Sequence, residues 1–100
     1  MPGVARSNDI WSGICCCHSD PTCIGMAGPI ITFSADTLTN SRGTARLSDV
    51  VIGACGHPGK IVTASPDVIC NSRGIARCGD AVVGCTIGNI VTCSGDVNAN

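Results

Sequence analysis

One short pattern occurs three times in this chain, and one of its spacings never changes. Ala5-Arg6-Ser7-Asn8-Asp9 recurs as Ala45-Arg46-Leu47-Ser48-Asp49 and as Ala76-Arg77-Cys78-Gly79-Asp80. Ile30-Ile31-Thr32-Phe33-Ser34-Ala35-Asp36 recurs as Ile61-Val62-Thr63-Ala64-Ser65-Pro66-Asp67 and as Ile90-Val91-Thr92-Cys93-Ser94-Gly95-Asp96. Asp36 to Arg46 and Asp67 to Arg77 are both ten residues, whereas the two Asp within a copy lie 27, 18 and 16 apart. A constant frame is repeated, at about 1–44, 45–75 and 76–100, and the elastic part of each copy is a loop. Repeats of this length build solenoids or closed arrays. A lone hairpin is marginal in water and the variable loops share one phase, so closure about a pseudo-threefold axis is expected, with the loops at one end.

The side chains available limit what such a frame can contain. Among 100 residues there are one Trp, one Phe, no Tyr and two Leu, so Val, Ile, Ala and Cys must fill the core of a single small domain. Glu and Gln are absent while β-branched residues and Gly abound, which predicts short strands and tight turns rather than helices. Asn40-Ser41-Arg42-Gly43 and Asn71-Ser72-Arg73-Gly74 read as turns, Asn and Gly being tolerant of positive φ. Six of the seven Asp and three of the five Arg fall on the repeated positions, so Arg6/Asp9, Arg46/Asp49 and Arg77/Asp80 are expected as structural ion pairs.

A formal charge of −1, no basic run and almost no aromatic faces argue against nucleic acid. No stretch is apolar and long enough to cross a membrane, and the first residues are not a signal peptide, which points to synthesis in a cytoplasm. Nine Cys is an odd number. In a reducing compartment thiols are left for metal or packing, so metal ligation is expected ahead of a disulfide framework.

Both His and six of the nine Cys lie in the variable loops. Loop one is Gly13 to Cys23, with Cys15, Cys16, Cys17, His18 and Cys23; loop two holds Cys55 and His57; loop three holds Cys85. Thiolate and imidazole are the ligands of tetrahedral Zn²⁺, and ligands from three loops would draw the loop tips together in a closed, structural site. Cys70 and Cys93 read as small core residues in strands, and Cys78 stands where the other copies have Leu47 and Ser7. Neighbouring Cys/His pairs such as Cys17 and His18 lack an orienting third group, which argues against a nucleophilic enzyme.

With Ala-Arg-x-x-Asp, a Cys/His loop, Ile-Val-Thr-x-Ser-x-x-Val and an Asn-x-x-Gly turn in sequence, the chain resembles the PAAR-repeat proteins from Val4 to Val97. The resemblance implies an all-β, cone-shaped domain of three pseudo-threefold repeats with a metal-pinned apex. Its base would sit on the trimeric β-helical central spike of a contractile phage tail or type VI secretion system, and its tip would meet the target cell envelope. It also implies one structural zinc held by His18, Cys55, His57 and Cys85, with Cys15 or Cys17 as an alternative fourth ligand. Departures are the loss of the Pro-Ala-Ala-Arg tetrapeptide, retention of a Gly before Asp only at Gly79, and the long Cys-rich first loop. With no toxin segment in sight, the expected function is a membrane-piercing tip in a virion tail or cytoplasmic injection apparatus, without catalysis or a small-molecule substrate. The rivals are a small cytosolic Cys-rich metal-binding or redox protein and a disulfide-rich secreted module.

Overall fold

The repeated Ala-Arg-x-x-Asp segments meet at the centre of the molecule. In a computed structural model of the protein, which describes residues 3–16, 23–95 and 97–99, all regular elements are β. Ala45 N donates to Ala5 O at 3.0 Å, Ala76 N to Ala45 O at 3.0 Å, and Ala5 N to Ala76 O at 2.9 Å. These three bonds close a ring through the three copies. All three alanines are wholly buried, because a ring this tight leaves no room for a larger side chain.

Around the ring run ten strands: β1 (Ile10–Cys15), β2 (Ile24–Pro29), β3 (Leu38–Thr39), β4 (Arg42–Gly43), β5 (Val50–Ile52), β6 (Pro58–Ile61), β7 (Ile69–Cys70), β8 (Arg73–Gly74), β9 (Ala81–Gly84) and β10 (Thr86–Ile90). Six form an antiparallel sheet in the order β2-β1-β10-β9-β6-β5, which curls as a half-barrel. Its two edges meet where Ile30 bridges Val51 and where Ala54 N donates to Ala27 O at 3.1 Å. Inside lie three sets of three: the ring alanines, then Ile30, Ile61 and Ile90, then Trp11, Val51 and Val82. The one Trp anchors its indole by donating from Nε1 to Ile52 O at 3.0 Å. A second cluster of Val4, Cys70, Ile75 and Ala99 lies beyond the ring.

Each repeated polar residue performs one task three times. The Asp9 carboxylate accepts from Arg6 N and Nε, both at 2.8 Å, and Asp49 and Asp80 accept in the same way from Arg46 and Arg77. Each Asp also accepts from a Thr of another copy: Asp49 from Thr32, Asp80 from Thr63 and Asp9 from Thr92, all at 2.9 Å. The buried Ser34, Ser65 and Ser94 accept amides two or three residues on, turning the chain. These side-chain bonds replace a sheet ladder. The strands expected over Ile-Val-Thr-x-Ser-x-Asp therefore end at Ile61 and Ile90, and Cys93 lies outside any strand.

Arg42 and Arg73, one per turn, fold back onto Ser7 O and Leu47 O and reach Asp9 and Asp49. Their turns are two-residue hairpin loops with positive φ at both central residues, 52° and 65° at Asn40 and Ser41 and 51° and 63° at Asn71 and Ser72. The sequence assigned the special backbone of these turns to Asn and Gly. Asn40 and Asn71 take it as expected, Ser41 and Ser72 take it in place of Gly, and Gly43 serves for packing, since a Cβ there would overlap the Phe33 ring. The position before each Asp also has positive φ: 65° at Asn8, 71° at Ser48 and 89° at Gly79.

The disulfide expectation is overturned. Cys16 is bonded to Cys23 and Cys78 to Cys93, so Cys78 and Cys93 are a covalent clasp inside the third copy rather than packing residues. Cys15, Cys55 and Cys70 keep their thiols, Cys70 in the core as expected.

The frame makes three predictions. Burial raises the Asp9 and Asp49 carboxyls, but Arg, Thr and backbone donors outweigh it and hold both below the ordinary range. An unfolded Asp titrates near ~3.9. Their contribution is thus fully present above that value and disappears as pH falls through the lower folded value. Unfolding free energy, read from Trp11 fluorescence in denaturant, should be flat above about pH 5 and fall below about pH 4. Asp49→Ala, which leaves Arg46 without its buried partner, should cost about 3–5 kcal/mol in the same assay. Ser48→Gly should add up to about 1 kcal/mol by removing a side chain from the left-handed region, with a smaller gain at Asn8.

Candidate metal centre

At one end of the curled sheet, strands from two copies bring sulfur and nitrogen together. Cys15 is the last residue of β1 and faces inward, four residues after Trp11. Cys55 stands four residues after Val51, in a tight turn closed by Gly53 N to His57 O at 2.9 Å and Gly56 N to Gly53 O at 2.8 Å. Gly56 has a φ of 89°, and this turn brings His57 back towards the Cys55 sulfur just before β6 begins at Pro58.

Cys15 Sγ lies 3.2 Å from His57 Nδ1, Cys55 Sγ lies 3.4 Å from the same nitrogen, and the two sulfurs are 3.5 Å apart. A tetrahedral zinc with bonds of about 2.3 Å to sulfur and 2.0–2.1 Å to nitrogen separates its ligand atoms by roughly 3.5–3.8 Å. The triangle of donors is thus close to one face of that tetrahedron. Two thiols and an imidazole suit zinc and other thiophilic metals. Burial is graded across the group: Cys15 is buried, His57 half-buried and Cys55 exposed.

The expected ligands fare differently. Cys55 and His57 are together, and they are joined by Cys15, which the sequence offered only as an alternative fourth ligand. Cys85 is disulfide-bonded, so the third loop brings no thiolate, a correction to the expected set. His18 and Cys17 lie outside the described residues.

Counting from the core explains the change at Cys85. The residue four after Val82 is Thr86, not Cys85. Period-two alternation along β10 from the buried Ile90 turns the Thr86 side chain inward at the level of Cys15, its partner in the β1–β10 register. Thr86 Oγ1 is buried with no hydrogen-bond partner among the described residues. It rests on Gly59, where any Cβ would collide with it. Thr86 is the residue that the sequence reading missed, and its offset from Val82 was the available signal. No protein-family model matches the chain, and no curated protein matches its sequence.

Removing a metal held by Cys15, Cys55 and His57 would lower the melting temperature without unfolding the chain, because the ring and the disulfides remain. His57→Ala or Cys15→Ala should lose any metal that the site holds, together with that increment of melting temperature. Elemental analysis and calorimetry before and after chelation check both. Metal content unchanged in either variant would rule out the Cys15–Cys55–His57 site.

Proposed function

We propose that this protein is a non-enzymatic structural tip of the PAAR type, seated on a threefold spike in a contractile tail or related injection system. The observation that carries the reading is the ring of Ala5, Ala45 and Ala76, which makes one chain nearly equivalent in three directions. Such a monomer suits a trimeric partner, since each copy can repeat the same contact with one partner chain. The long axis of 39 Å against 23 and 22 Å across is the proportion of a body with rotational symmetry.

Exposed apolar side chains recur at the threefold position after the core isoleucines: Ile31, Val62 and Val91 are 43%, 47% and 54% exposed. Leu38 and Ile69 repeat in the two hairpins. Arg42 and Arg73 are engaged within the chain, so the contact is assigned to the apolar set. Zinc held by Cys15, Cys55 and His57 would stiffen the tip that meets a target envelope.

Native mass spectrometry with a purified trimeric β-helical spike should show one chain per trimer. Val62→Asp, at an exposed position, should weaken the complex at least ten-fold while leaving the melting temperature unchanged. Three chains per trimer, or no complex with any such spike, would remove the reading.

A further inference from the structure

Two of the thiols retained among the described residues, Cys15 and Cys55, lie against each other. Cys15 and Cys55 come from different copies, 40 residues apart in sequence, with their sulfurs at 3.5 Å. A disulfide needs about 2.05 Å, so a shift of about 1.5 Å converts this contact into a bond. The disulfides Cys16–Cys23 and Cys78–Cys93 are each internal to one copy. A Cys15–Cys55 bond would tie the first copy to the second.

We propose that Cys15 and Cys55 are a peroxide-oxidisable dithiol, a modification site sharing its sulfurs with the metal centre. The competition between metal and oxidant rests on the zinc reading above, whereas the sulfur chemistry stands without it. Burial sets the order of events. Cys55 is exposed and meets a small hydroperoxide first; Cys15 is 0% exposed and waits behind it. The Cys55 sulfur attacks one peroxide oxygen, the O–O bond breaks, and an S–O bond forms. With hydrogen peroxide, the departing oxygen leaves as water with the Cys55 proton.

The Cys15 sulfur then attacks the Cys55 sulfenic sulfur, forming S–S and breaking S–O. The hydroxyl leaves as a second water with the Cys15 proton. Two thiols have lost two electrons and one hydrogen peroxide has gained them. Zinc held there would use both thiolates, so metal and oxidant would compete for the same lone pairs. Whichever wins, the first and second copies are clamped at the same place, by a metal or by a covalent bond.

The test uses the full chain, stripped of metal under inert gas with its disulfides intact, and hydrogen peroxide. Thiols are counted after denaturation and cross-links mapped by non-reducing peptide mass spectrometry. The thiol count should fall by two, with Cys70 still a thiol and a Cys15–Cys55 cross-link formed. Cys15→Ser should leave Cys55 as a sulfenic acid that dimedone labels, and Cys55→Ser should give no cross-link. One equivalent of zinc should slow the reaction at least ten-fold. Loss of a single thiol, with Cys55 overoxidised and no cross-link, overturns the proposal. A cross-link that forms equally fast with zinc present overturns the competition and the zinc reading while the dithiol stands.

Discussion

Three amide-to-carbonyl bonds between Ala5, Ala45 and Ala76 govern this molecule. Each is an ordinary backbone hydrogen bond, but the circuit they close fixes the backbone of all three copies at one point. It also explains the alanines, since nothing larger fits where three chains converge. From there the Arg that follows each Ala reaches forward to its Asp, and the Asp receives a Thr from another copy. The ten-residue spacings from Asp36 to Arg46 and from Asp67 to Arg77 hold the β3–β4 and β7–β8 hairpins that lead the chain from one copy back to the ring.

That is why the frame was legible and much of the rest was not. Arg and Asp three apart bond to one another, so their partnership is local and leaves a constant spacing. Asn8 and Ser48 seemed to depart from a Gly position, but all three residues there share a left-handed backbone that Asn tolerates and Ser endures. The strands over Thr32, Thr63 and Thr92 were overread, because β-branched residues there spend their hydroxyls on Asp and amides instead of continuing a ladder. Disulfides depend on through-space partners across the fold, and an odd cysteine count said nothing of them. The rule from compartment and parity pointed away from bonds that Cys16, Cys23, Cys78, Cys85 and Cys93 make.

The site was half visible for the same reason. Cys55 and His57 are two residues apart and meet through one turn. Cys15 joins them from the other copy by occupying the matching place after Trp11. In the third copy that place belongs to Thr86, so the threefold frame carries a twofold pair of thiols. The core shows similar unevenness, with Trp11 where the other copies have Val51 and Val82. Symmetry is kept in the backbone and relaxed in the side chains, which lets one repeat pattern hold an asymmetric site.

The cyclic order of the Thr-to-Asp bonds sets how such a chain can come together. Thr32 and Thr63 each reach the next copy, but Thr92 must return across 83 residues to Asp9. In a solenoid each added repeat finds its neighbour waiting, and stability accumulates piece by piece. Here the first copy stays open on one side until the last has been made. Nucleation therefore carries the closure entropy of nearly the whole chain, which favours all-or-none assembly and slow folding for the protein's size. During synthesis β1 would therefore wait unpaired on that side until β10 has been made.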